Sequence, residues 1–278
     1  MKKLLHSQGL LLLLTLAAAL AGALLRRYQL ANELLKDGTL APGSKMHIVL
    51  LILLVLYGAV LVLLLRPLRK KRSWREVFPT GRLVYALQIA CALVLLIGNA
   101  FAIRGTPATA QQVVSQFSVL IGKLLPWLGF LAAGCMAAFA LLRMSGKKPS
   151  AVFYMAVSVY LVVRLILSFQ SWNTDPSIHD YCFRLLAAIC CMLGTYQLAG
   201  FCLDQGRRRL TLFWTLFAVV FSAMGFVDAA RAGDTGEALV SISLCLSMFL
   251  SSIQLLYPAR RRRPADVIPP TDTGETAL

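Results

Sequence analysis

Acidic side chains are scarce in this sequence. Its 278 residues hold 12 Asp and Glu against 28 Lys and Arg, and charged residues make up 14% of the chain. Ordinary globular proteins carry roughly 25%. No Asp or Glu falls mid-way along a long apolar run. That speaks against a proton-coupled pump or an intramembrane aspartyl protease, since both need a carboxylate at depth. Histidine is equally rare: His6, His47 and His179 stand far apart. There is no HExxH, GxSxG or P-loop, so the common metalloprotease, hydrolase and nucleotide motifs are missing. The seven cysteines, Cys91, Cys135, Cys182, Cys190, Cys191, Cys202 and Cys245, form no CxxC and no zinc-like Cys/His spacing. All lie in or beside apolar runs, where a thiol serves as a small polarizable apolar group. The residues therefore give no catalytic set, no metal site and no cofactor motif.

What the chain has in abundance is hydrocarbon. It is 58% hydrophobic, with a mean hydropathy of +0.72, and a water-soluble core of this size could not hide that much apolar surface. About 20 mostly apolar residues span the roughly 30 Å of a bilayer core. Eight runs meet that length: 5–25, 47–65, 83–103, 117–142, 150–169, 182–202, 210–230 and 238–257. The reading is an all-α, polytopic transmembrane bundle over 1–257, with a basic tail at 258–278. The tail carries Pro258, Pro264, Pro269 and Pro270 among Thr and Asp, a composition expected to be disordered.

Loop charge sets the expected orientation. The segments 66–82, 143–150 and 203–209 hold seven, three and three Lys or Arg, and Arg260 to Arg263 follow the last run. The alternating segments 104–112, 170–181 and 231–237 hold one, none and one. Basic loops stay in the cytoplasm, so both chain ends are expected inside. The segment 26–46, with Arg26, Arg27, Lys36 and Lys45, is the exception. The +16 net charge is thus spent on loops rather than on one aromatic-studded basic face, which excludes a nucleic-acid partner. The first run also has the shape of a signal peptide ending at Ala21-Gly22-Ala23. Arg26 and Arg27 directly after it oppose translocation, so an uncleaved first helix is expected. Gly98 to Arg104 and Gly225 to Arg231 end runs three and seven in a similar way, the sign of a weak 4+4 parallel repeat.

Polar groups inside the apolar runs are the informative ones, because a lipid-facing charge is costly. Arg164 shares a helical face with Tyr160, Ser168 and Ser171. Lys123 shares one with Gln112 and Gln116, and Gln88 lies eleven residues before Asn99. Arg184 opens the sixth run, while Ser243, Ser247, Ser251 and Gln254 stripe the eighth. Under the assigned topology Lys123, Arg164, Arg184, Asn99 and Asp228 all lie toward the outside. Runs one and two carry little of this kind, so runs three to eight are expected to form a polar-lined interior. Two explanations compete for these residues. In one, they line an outward-facing, cation-rich pocket for an anionic small molecule or lipid headgroup. Alternatively, the arginines pin helices by pairing with Asp228, Asp180 or Glu237, the cations snorkel, and the serines serve close helix packing.

Arg26-Arg27-Tyr28-Gln29-Leu30, followed by Gly38-Thr39-Leu40-Ala41-Pro42-Gly43, resembles a group of uncharacterised eight-helix integral membrane proteins of clostridial bacteria. The resemblance implies a multi-pass protein of the bacterial plasma membrane and brings no activity. The expected function is a carrier or solute-binding protein whose candidate ligand residues are Arg164, Lys123, Arg184, Asn99, Tyr160 and Asp228. The alternative is a scaffold or accessory subunit acting through a partner that the sequence does not name.

Overall fold

The computed structural model describes residues 2–33, 45–68, 81–104, 116–172 and 178–257. The tail 258–278, Gln112 and the side chains of Gln116, Ser171 and Asp180 lie outside the described residues. Among the described residues eight helices run in order: α1 Lys2–Asn32, α2 Lys45–Leu65, α3 Arg82–Arg104, α4 Gln116–Met144, α5 Val152–Trp172, α6 Ile178–Cys202, α7 Arg208–Arg231 and α8 Thr235–Leu256. Each is long and apolar enough to cross a membrane, so the chain is a polytopic helical membrane protein. In lipid only helices and closed barrels satisfy every backbone group.

Packing gives the helices distinct roles. Each of α3 to α8 packs on its chain neighbour, and α3 packs on α8, so six helices close into a ring. A small contact between α6 and α8 places α7 behind the ring axis. That axis runs between α3, α4, α5, α6 and α8. Helix α7 also receives α1 and α2 on its far side and is largely buried, as is α8, whereas α1 and α2 present most of their surface outward. The peripheral placement of α2 follows from its charge-free run from Ile48 to Leu65. Among the described residues the α3–α8 contact has no comparable α7–α4 counterpart.

Polar side chains join the helices where lipid would leave them unsatisfied. Ser243 donates to the Cys91 carbonyl at 2.6 Å, Ser158 and Thr195 hydroxyls meet at 2.8 Å, and Ser252 donates to Thr215 Oγ1 at 2.9 Å. Arg208, fully buried, donates to the carbonyls of Leu255 and Leu256 at 2.8 and 3.2 Å. Those are among the carbonyls that a helix C-terminus leaves without intrahelical partners.

Candidate functional site

One end of the bundle, the end of the α7–α8 turn, gathers most of the buried charge. It is the end that loop charge leads one to expect outside. Helix α5 brings Arg164 there with its side chain only 10% exposed. Its Nη1 donates to the Tyr160 hydroxyl one turn back, at 3.0 Å. Tyr160 in turn donates to Asn99 Oδ1 on α3 at 3.1 Å, and Asn99 Nδ2 donates to its own Leu95 carbonyl at 2.8 Å. The result is a directed chain from guanidinium through phenol and amide to backbone. On its other side Arg164 pairs with Glu237 of α8. Arg184 of α6 reaches the same Glu237 oxygen at 3.1 Å, so one carboxylate receives two guanidinium groups.

Glu237 and Asn99 reach the same cavity because α3 and α8 touch backbone to backbone beside them. A Cβ on Gly98 would lie 3.0 Å from the Gly236 carbonyl, and one on Gly236 would lie 3.0 Å from the Gly98 carbonyl. Small residues are what allow such an approach between membrane helices. Helix α8 starts here, capped by Asp234, whose carboxylate accepts from the Glu237 N–H at 2.9 Å.

A cavity of about 530 Å³ opens between these elements. Its polar wall includes Asn99, Tyr160, Arg164, Ser168, Asp234, Thr235 and Glu237, and Leu125 and Pro126 of α4 close one side. Pro126 sits inside α4, where it removes a backbone donor and loosens the helix.

The six residues singled out from sequence separate into four places. Arg164, Tyr160 and Asn99 come together on the cavity wall. Arg184 stands behind Glu237 rather than on the wall. Lys123 is exposed, near the exposed Leu124 and Trp127. It belongs to the outward face of α4 at the start of its span, where an ammonium can snorkel. Asp228 lies in a different junction: it accepts from Arg26 Nε of α1 at 2.7 Å. Arg26 is fully buried, donates to Gln29 at 2.7 Å and lies 5.0 Å over the Phe183 ring, a cation–π distance. The expectation that the first run carries little polar character toward the interior is therefore corrected for α1, since Thr15, Arg26 and Gln29 are all buried. Nor is the described cavity wall cation-rich. Arg164 is its one cation among the described residues, and both wall carboxylates are already engaged.

Glu237 is the hub of the ion pairs: of the three acids the sequence offers as partners for Arg164 and Arg184, the structure pairs both arginines with this one. One feature of this end went unselected in the sequence. The Arg26–Asp228 pair joins residues 202 apart, which no local spacing reveals. Among the described residues, no three His, Cys, Asp or Glu side chains come together as a metal site. Comparison with protein-family models, curated proteins and solved structures returns no match.

Proposed function

We propose that this chain is a carrier or solute-binding protein of a bacterial plasma membrane, taking an anionic solute or lipid headgroup in the cavity at Arg164. The observation that supports it is a buried guanidinium facing a sizeable cavity instead of being used up by its partners. Tyr160 and Glu237 take two of its N–H donors out of the five that a guanidinium offers. The remaining fork matches a carboxylate or phosphate. Glu237 does not cancel this attraction, because Arg184 shares the same oxygen.

The alternative, a non-transporting subunit whose arginines only pin helices, draws on the Arg184–Glu237 and Arg26–Asp228 pairs. A thermal-shift screen of the purified protein against anionic metabolites and anionic lipids separates the two. A bound ligand at a hundredfold excess over its Kd stabilises by about 2.7 kcal/mol. The expected result is stabilisation of the native protein by at least one anion and its loss in Arg164→Gln. If no anion shifts the midpoint, or if Arg164→Gln responds unchanged, the pocket reading is wrong.

A further inference from the structure

Beneath the outer cavity lies a second, smaller one on the same ring axis. Gln88 of α3, Met136 and Phe139 of α4, Tyr154 and Val157 of α5, Thr195 of α6, and Leu244, Ser247, Met248 and Ser251 of α8 enclose it. Its volume is about 20 Å³, room for one water molecule, which needs roughly 10–15 Å³. Polar groups continue below it: Gln88 Nε2 donates to Ser251 at 3.5 Å, and Gln254 Nε2 donates to Gln88 at 3.3 Å. Gln254 Oε1 is buried with no hydrogen-bond partner.

These groups line up along one axis. On α8 the file runs from Glu237 to Gln254, seventeen residues, or ~25 Å at 1.5 Å per residue. That is most of a hydrocarbon core of about 30 Å. The two cavities come within about one helical turn of each other. Tyr160 lines the outer one and Val157 the inner one; on α8 the same holds for Val240 and Leu244. What stands at this level is the Asn99–Tyr160 hydrogen bond, with the Asn99 amide filling the place of a side chain at Gly129. A Cβ there would lie 2.1 Å from Asn99 Oδ1.

We propose that the outer cavity is the mouth of a transmembrane path for small anions, that the chamber at Gln88, Thr195, Ser247 and Ser251 is its next station, and that the Asn99–Tyr160 pair over Gly129 is the barrier between them. This rests on the anion reading of Arg164. The barrier is wired to that residue, because the Tyr160 hydroxyl that holds Asn99 is itself held by Arg164 Nη1. An anion that draws the guanidinium into the cavity withdraws that support. The inner station carries hydroxyls and amides but no fixed charge. The Ser247, Ser251 and Thr195 hydroxyls donate to backbone carbonyls of their own helices, so an anion must draw these protons away from the backbone and is held loosely enough to leave, the balance a conducting site needs.

Cysteine accessibility tests the path without knowing the solute. Ser247→Cys, with Ser251→Cys as a second reporter, is placed in the full-length protein reconstituted in phosphatidylcholine vesicles. The probes are an anionic sulfonate-bearing methanethiosulfonate and its cationic ammonium analogue. Mass spectrometry reads the new thiol separately from the seven native cysteines. Labelling by the anionic probe is expected to be slow, and at least tenfold faster when Tyr160→Phe or Asn99→Ala is added. The cationic probe should lag once each rate is divided by that with a free thiol. Equal rates with and without the barrier substitutions overturn the barrier, and a cationic probe that keeps pace overturns the anion path. If anions stabilise the protein through Arg164 while this labelling fails, the pocket stands and the path falls.

Discussion

Arg26 and Lys123 show how burial decides what a cation does. Both sit near the ends of apolar runs in the sequence. Arg26 is fully buried against Asp228, Gln29 and Phe183, while Lys123 lies on the exposed face of α4. Breaking a buried ion pair by removing one partner costs about 3–5 kcal/mol, because the remaining charge stays desolvated. Asp228→Ala is therefore expected to lower unfolding stability in detergent by that order. Replacing both partners, as Arg26→Met with Asp228→Leu, should recover most of the loss, since matched apolar pairs are often neutral. Lys123→Gln should stay within ~0.5 kcal/mol, as surface substitutions usually do. A Lys123 variant as damaged as Asp228→Ala would show that the exposure assigned to it is wrong.

Helix contacts explain which parts of this arrangement were legible in the sequence. The eight spans were, because run length and charge-free stretches such as Ile48 to Leu65 report directly on lipid as solvent. The α8 stripe was legible too: Ser243, Ser247, Ser251 and Gln254 recur at helical spacing and are all buried. Partner choice was not. Nothing local in Gly98 or Gly236 announces that each meets the other's carbonyl, yet this contact brings Asn99 and Glu237 to the same cavity. Nor does the Arg164 stripe differ in pattern from the Lys123 stripe; only the ring closure turns one inward. Gly98→Ala forces a methyl against backbone and against Val240, and overpacking of this kind costs about 1–3 kcal/mol. The expected outcome is a lower unfolding midpoint together with weaker anion stabilisation. A midpoint unchanged from that of the native protein would remove the α3–α8 contact from the account of the site.

The whole molecule is a ring with a backing: α3 to α8 close on one another, α7 lies behind the axis, and α1 and α2 cover α7. The eight described spans would put both flanking segments on one side, which loop charge leads one to expect is the cytoplasmic side. Reporter fusions active only in the cytoplasm should therefore work at either terminus, while a thiol placed at Gly233 in the α7–α8 turn should react with an impermeant reagent added to intact cells. The opposite pattern would invert the orientation and place the Arg164 cavity on the inner face.

Because α3 packs on α8, the wall that completes the ring is made after the other seven described spans. Spans emerge from the ribosome in chain order, and partly assembled intermediates expose surfaces that later segments cover. Until α8 enters, the nascent protein is an open crescent: Gln88 has no facing Ser251 or Gln254, and Arg164 and Arg184 have no carboxylate from Glu237. Biosynthesis thus holds a pair of half-dressed guanidiniums in the bilayer until α8 inserts. That interval is where a membrane chaperone or protease would be best placed to judge whether a copy of this chain is finished.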